Sequence, residues 1–456
     1  MERLKLAQAL RLSGTETVAF VGAGGKTTAM FQLARELLPP VVVTTTTHLG
    51  AWQVELADRH FIVTTDEDLN AIEDNRRGVM LVTGPQIGDR FGGIGEKLTD
   101  WLHAMCGYHS LPLLVEADGA RQKPLKAPAE HEPAVPEFAD TVVVVAGLSG
   151  LGKPLSDEWV HRAERFGRVS GSKSQRVNES ANQQSVTAER LAKALAHPES
   201  GLKGIPAGAR RVALLNQADT PELQAQGKAL AEKLLGAFEA VIVSSLKSQT
   251  IHAVHERIAG IVLAAGGASR FGRPKQLLDW RGRPFVRVVA QTALAAGLSP
   301  VVVVTGAYAE EVEAAVIDLP VQIVRNENWE EGQAGSLITG IKPLTPSPSP
   351  LQGEGHTGGA IFLLADQPQV TVEVIRALVE HHAGTLYPVI APYVFERRAN
   401  PVLFDRVTFE ALMQLSGDQG GRGVFSQFSP RYLAWYDQRL LLDVDTPEDY
   451  ERLLQA

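Results

Sequence analysis

The sequence predicts an α/β protein built from two doubly wound, mainly parallel-sheet domains in tandem. Three observations carry this. The chain has 456 residues, more than one compact core accommodates. Short, near-continuous Val/Ile/Leu runs recur along both halves, as strands covered by helices on both faces require. Between several of them lie stretches of helical period, such as Thr27–Leu38 and Phe285–Ala296, and repeated β–α alternation favours parallel sheets.

Taken in order, the strand candidates of the first half are Val18–Val21, Val41–Thr44, Val79–Val82, Leu113–Glu116, Thr141–Ala146, Val212–Leu215 and Ala240–Val243. Those of the second are Gly260–Ala264, Pro300–Thr305, Val321–Val324, Ala360–Leu364, Val389–Pro392 and Leu440–Val444. A polar stretch at Ser245–Ile258 separates the halves, giving domains at 1–250 and 258–456. Ser170–His197 is polar and reads as helices or a lid. Thr345–Gly359, in which Pro346, Pro348 and Pro350 alternate with serine, is too poor in apolar residues to offset its ordering entropy. It is expected to be a disordered surface insertion.

Composition is that of a globular protein, 44% apolar and 21% charged. A net charge of −8 argues against wrapping nucleic acid but permits a local cation cluster for a mononucleotide. Cys106 is the single cysteine, so neither an intramolecular disulfide nor a thiolate zinc cluster forms. Neither a signal-like N-terminus nor a membrane-length apolar window is evident, and a cytosolic location is expected.

The stretch Gly260–Trp280 carries the most chemistry. The apolar run Ile261–Ala265 breaks into Gly266 and Gly267, and Arg270 and Lys275 follow. The glycines let backbone N–H groups approach phosphate oxygens, and the cations add fixed positive charge. Asp366 ends the apolar strand Ile361–Ala365, where an α/β sheet presents residues to ligand. It is the first candidate magnesium ligand, since Mg²⁺ takes one or two carboxylates plus phosphate oxygens and water. Asp443 and Asp445, on one side of the Leu440–Val444 run by alternation, are candidates for the second.

The pattern LAAG-x-S-R-F-G-x-P-K-Q-L resembles the MobA-like nucleotidyltransferases, and among them the molybdenum cofactor cytidylyltransferases. Four more blocks match in order: GQAGSLITGI (332–341), LLADQP (363–368), RANPVLF (398–404) and DVDTPEDY (443–450). The resemblance implies a Rossmann-like domain that transfers CMP from CTP to the terminal phosphate of Mo-molybdopterin and releases pyrophosphate. Arg270 and Lys275 would hold the triphosphate, and Leu263, Ala264, Ala265, Gly266, Gly267 and Ser269 would form its cradle. Ser336 would face base or ribose, with a helix cap as its other reading. The DVDTPEDY block would close the metal site through Asp443 or Asp445. Ala399 stands where glycine is usual in the RGNP form, so Asn400 is a weaker acceptor-site candidate than the pattern alone suggests. Asp418 and Arg422 would lie near the acceptor. The LAAG and PKQL forms favour CTP over GTP; another phosphorylated acceptor, or delivery of the cofactor without turnover, is the alternative.

The first half carries Phe20-VGAGGKTT. Read as a P-loop, it offers Gly22, Gly24, Gly25, Lys26, Thr27 and Thr28 to phosphates, with Thr27 on magnesium. Phe20 occupies the first glycine position of that motif, so the loop is shaped differently. Glu116 and Asp118 in LLVEADGA resemble a Walker B pair, and Asp118 is a further metal candidate. Thr44–Thr47 and His48 form a hydroxyl-rich turn. Leu214-LNQAD is similar to the guanine-reading N-K-x-D turn, with Gln217 in place of lysine. Over residues 5–250 the blocks VGAGGKTT, TTTTHLG, VEADGARQKPLKAPAEHEPAVP, GLSGLGKPL and VHRAERF resemble the YqeC-like proteins. This implies a P-loop-like accessory domain, using ATP or GTP, that serves a selenium-dependent molybdenum hydroxylase as apo-enzyme partner. Arg121, Lys123 and Lys126 bind an anionic substrate or form a solvated loop.

Overall fold

The computed structural model describes residues 3–171, 185–267, 273–345 and 357–455. The chain divides into two compact units, Met1–His255 and Glu256–Ala456. Both are α/β with mostly parallel sheets.

In the first unit the Val-rich runs become β1 (Thr17–Gly22), β2 (Val41–Thr45), β3 (Arg59–Ile62), β4 (Val79–Thr83), β5 (Leu113–Glu116), β6 (Thr141–Gly147), β7 (Arg210–Asn216), β8 (Ala240–Ser245) and β9 (Thr250–Glu256). They form one sheet in the order β9-β8-β7-β6-β1-β5-β2-β4-β3. β1 lies centrally, parallel to β5 and β6. Its exit, with that of β5, opens at the carboxyl edge where parallel α/β sheets bind ligands. Helix α1 (Lys26–Glu36) follows β1 directly. Helix α2 (Pro221–Leu234) starts with proline at its first turn and a Thr220 side chain accepting from Leu223 N, both favourable start signals.

The second unit contains β10 (Ile258–Ala264), β11 (Val301–Thr305), β12 (Gln322–Arg325), β13 (Gly359–Leu364), β14 (Val389–Val394), β15 (Arg397–Arg398), β16 (Val402–Asp405) and β17 (Arg431–Ala434). Their order is β12-β11-β10-β13-β16-β14-β15, with β17 on β14. Alternate residues of the central strands feed two cores: Val262, Val303 and Leu363 face one, Ile261, Val304 and Phe362 the other. Phe404 is 2% exposed and meets Phe362 edge-on at 5.4 Å. Phe404→Ala is expected to cost the second unit about 3–5 kcal/mol, measured by denaturant unfolding.

Three expectations need correction. The Leu440–Val444 run is not a strand: Asp437 accepts from Arg439 N and closes Gln438–Leu441 into a 3₁₀ turn. Val444 is then buried with Leu278, Phe285 and Leu453, and Leu442 packs against them, so these apolar residues serve a local core rather than a ladder. The division between the units falls inside the boundary stretch 245–258, but half of that stretch is the strand β9, whose alternating polar residues mask it. β16 and β17 were not predicted either; β16 is antiparallel to β13 and β14. The expected insertion at 345–359 lies mostly outside the described residues, as does much of the 170–197 segment, whose later part forms the helix Ala188–Leu195.

Candidate functional site

The second unit reverses its strand order between β10 and β13, the switch point at which open α/β sheets form a ligand crevice outside the carboxyl ends. The carbonyls from the end of β10 to Gly266 are each held by a protein donor. Leu263 O accepts from Ala365 N at 3.1 Å and Ala265 O from Ala307 N at 3.1 Å. Gln276 Nε2 donates to Ala264 O at 3.4 Å and to Gly266 O at 3.0 Å. In a trans peptide the C=O and the next N–H point opposite ways, so the Gly266 N–H points away from Ala307 and the Gly267 N–H away from Gln276, and both residues are exposed. A side chain on Gly267 would come within 3.0 Å of the Trp329 ring. Gln276 was not anticipated as a loop holder, although it belongs to the quoted PKQL block. Ser269 and Arg270 lie outside the described residues.

Lys275 reaches this crevice. Its Nζ lies 2.5 Å from Asp445 Oδ1. Burial pushes the Asp366 carboxyl above the usual carboxylate range; Lys275 opposes this, and the charges of Asp443 and Asp445 add to it. Asp443 accepts from Gln367 Nε2 at 2.8 Å, and Gln369 Nε2 donates to Leu442 O at 2.8 Å. The two glutamines, 2% and 6% exposed, thus tie the late segment to the end of β13. Their Oε1 atoms are buried without a hydrogen-bond partner. Asp443 and Asp445 reach the crevice through this tether and the Val444 core, not through strand alternation. Among the described residues no group of three or more His, Cys, Asp or Glu is arranged around a common metal position. The hard-oxygen donors Asp366, Asp443 and Asp445 fit magnesium, which needs only one or two protein carboxylates.

Ser336 sits inside the helix Gln333–Ile341, not at its cap. It is 8% exposed and its Oγ accepts from Asn326 Nδ2 at 3.1 Å. The helix-cap reading of Ser336 is therefore corrected: the cap position is Gly332, and Ser336 braces the helix against Asn326. The loop ahead of that helix presses on another block: a side chain at Gly332, φ +114°, would lie 2.4 Å from Gly417 C, and Ala334 N donates to Gly417 O at 3.1 Å. This sets Asp418 beside Gly332, while Arg422 is exposed. Ala399 is buried and free of the left-handed backbone region, so alanine fits where the motif has glycine, and Asn400 follows it.

In the first unit the glycine loop meets a buried charge network. Lys26 is 4% exposed. Its Nζ donates to Gly22 O at 2.8 Å and lies 3.1 Å from Asp118 Oδ1 and 3.8 Å from Glu116 Oε1. Burial pushes the Glu116 carboxyl up, while Lys26 opposes it. Thr27 donates to Glu116 and accepts from Gln53 Nε2 at 2.8 Å. Asp118 pairs with Lys126 at 2.8 Å, Lys126 with Glu132 at 2.9 Å, and Glu132 with Arg162 at 2.9 Å. Gln53, Glu132 and Arg162 were not anticipated. Glu132 and Arg162 belong to the quoted VEADGARQKPLKAPAEHEPAVP and VHRAERF blocks, whereas Gln53 is marked only by its place in space.

The loop differs from the expected cradle. Gly22 N donates to Asp118 Oδ2 at 3.0 Å and Gly24 N to Lys123 O at 3.1 Å, so these two N–H groups serve the fold rather than a phosphate. Gly24 O accepts from Asn216 Nδ2 at 2.8 Å, which by the same peptide geometry turns Gly25 N–H away from Asn216. Helix α1 starts there without a side-chain cap, with Thr28 exposed, and an uncapped helix start favours anions. The threonine turn is structural: Thr44, Thr45 and Thr46 donate to Val82 O, Glu116 O and Ala134 O. His48 is exposed on a short strand. Lys126 is internal, and Lys123 Nζ donates to Glu158 O; Arg121 is exposed in the same turn.

Residues 18–164 match the family model described as YqeC protein, and residues 260–432 match the MobA-like NTP transferase domain. Over 209 residues the chain is 35% identical to nicotine blue oxidoreductase of Paenarthrobacter nicotinovorans, covering 43% of this chain and 96% of the relative. It is 32% identical over 210 residues to the uncharacterized protein YqeC of Escherichia coli (strain K12), 44% of this chain and 75% of the relative. A probable molybdenum cofactor guanylyltransferase of Bacillus mycoides (strain KBAB4) is 25% identical over 202 residues, 42% of this chain and 94% of the relative.

Proposed function

Since this chain belongs to the YqeC family over its first half and to the MobA-like NTP transferases over its second, we propose that it is a molybdenum cofactor cytidylyltransferase joined to a nucleotide-binding accessory unit. The second unit transfers CMP from CTP to Mo-molybdopterin. The observation that carries this reading is the exposed Gly266–Gly267 turn, its preceding carbonyls held by Ala307 and Gln276, at the same sheet edge as Lys275 and Asp366. A terminal phosphate oxygen of the acceptor attacks the α-phosphorus of CTP; that P–O bond forms as the bond to the bridging oxygen breaks, and pyrophosphate leaves. Both reactants are anions, so catalysis rests on charge neutralisation and alignment. The Gly266 and Gly267 amides and Lys275 bind the triphosphate, with Arg270 assigned the same work from the motif. Asp366, with Asp443 or Asp445, would hold magnesium, which supplies Lewis-acid neutralisation of the phosphates. Gln367 keeps Asp443 in place.

The LAAG and PKQL forms support CTP, whereas the guanylyltransferase name of four relatives supports GTP. Incubating the full chain with Mo-molybdopterin, magnesium and each nucleoside triphosphate, and measuring pyrophosphate, separates them. CTP is expected to exceed GTP by about tenfold or more. Preference for GTP overturns the base assignment, and no pyrophosphate with any triphosphate favours cofactor delivery without turnover.

The first unit is proposed as a P-loop-like module whose Gly25 and α1 amides, Lys26, Thr27 and Thr28 take phosphates, with Thr27 and Asp118 near magnesium. It would act in the cytosol on the same cofactor or on an apo molybdenum hydroxylase. No described helix is long and apolar enough to cross a membrane.

A further inference from the structure

The turn ending β7, Asn216-Gln217-Ala218-Asp219, is clamped beside the first glycine loop. Asn216 is 4% exposed. Its Nδ2 donates to Gly24 O at 2.8 Å, and its Oδ1 accepts from Leu246 N at 3.0 Å, just beyond β8. One buried amide therefore joins the loop, β7 and β8. Ala218 N donates to Ser244 O at 2.9 Å, and Ala218 O accepts from Gln224 Nε2 at 3.2 Å. Gln217, in the left-handed region at φ +63°, accepts from Ser149 Oγ at 2.5 Å. The turn is thus held at three successive residues, and the next, Asp219, is exposed at its rim.

We propose that Asp219 reads the base of a nucleotide bound at the first glycine loop, and that the base is guanine. The inference rests on the first unit binding nucleotide at all. Asp219 lies at the same carboxyl edge as the loop, two strands away in the order β7-β6-β1. Adjacent strands are about 4.8 Å apart, so roughly 10 Å separates the strands that carry the loop and the turn, a span on the scale of a nucleoside. An ionised carboxylate only accepts hydrogen bonds. Guanine presents two adjacent donors, N1–H and the 2-amino group, and can meet both oxygens at once. Adenine presents an acceptor beside its amino group and sets a lone pair against the carboxylate; cytosine does the same. The Asn216 clamp keeps loop and turn in fixed register, so phosphates and base are read by one rigid edge.

The test is equilibrium binding of GDP, ADP and xanthosine diphosphate to the full chain and to Asp219→Asn, in magnesium buffer. Xanthine carries an oxygen where guanine has its 2-amino group, so an amide at 219 matches it and mismatches guanine. The parent chain is expected to prefer GDP over ADP by about tenfold to a hundredfold. Asp219→Asn is expected to lose GDP by a similar factor and to gain xanthosine diphosphate, a gain that an unfolded variant cannot show. A GDP preference untouched by the substitution assigns the selectivity elsewhere and overturns the proposal. Equal binding of GDP and ADP overturns the base assignment and leaves nucleotide binding standing. No diphosphate binding overturns both.

Discussion

Asp366→Asn is expected to lower pyrophosphate release by about 10²–10³-fold, the usual scale for removing one electrostatic element from a preorganised site. The substitution keeps shape and removes one charge. It acts where charge matters, because Asp366 is half-buried just beyond the end of β13 and its carboxyl is already pushed up by burial against the pull of Lys275. An amide there leaves Lys275 paired with Asp445 and weakens the hold on a divalent cation, so the magnesium concentration for half-maximal rate rises as the maximal rate falls. Initial rates across a magnesium series measure both, and a thermal melt checks that the fold is kept. Undiminished turnover removes Asp366 from the reaction.

Glu132→Gln is expected to destabilise the first unit by about 1–3 kcal/mol, a fall in Tm of roughly 2–12 °C, because it removes one of the two carboxylates paired with the buried Lys126, leaving Asp118, and the carboxylate paired with Arg162. The Lys126 side chain is 2% exposed and that of Arg162 29%. Burial alone would raise the Glu132 carboxyl, but the bonds from Arg162 and Lys126 hold it down at about 2. The folded value lies below the ordinary 4.5, so the stabilisation is complete above 4.5 and is lost as pH falls from there toward 2. The gap in stability between parent and variant should therefore narrow on acidification from pH 5 to pH 3. Urea unfolding of both proteins at pH 7, 5 and 3 measures it. A gap that stays constant with pH shows that Glu132 acts through packing rather than charge.

How much of this was legible in the chain depended on how local each signal was. The Val-rich strands and both glycine turns declare themselves because burial on two faces and tight backbone turns leave few residue choices. Helix α1 and the helix from Phe285 were expected to within a few residues of their observed ends. The short strands Arg59–Ile62 and Arg431–Ala434 were hidden by polar or half-exposed positions, and Val402–Asp405 by the proline before it. The run at 440–444 misled because apolar residues packing into a small side core look like a strand until Asp437 is seen capping the turn. Site residues that come from motifs were named, but those supplied by distant elements were not. Glu132 and Arg162 sat in quoted blocks without a role, and they and Gln53 gain one once the fold brings their segments to Lys26, Thr27 and Asp118. Local motif reading also assigned Gly22 and Gly24 to a ligand when their amides are spent on Asp118 and Lys123.

Gly332 and Gly417 leave no room between their backbones for even a methyl group. The segment leading into the helix at Gln333 and the loop around Asp418 therefore behave as one body. Whatever molecule settles against either one also restrains the other, so two ligands held by these two segments would share the entropy of ordering them, and each would bind more tightly in the other's presence.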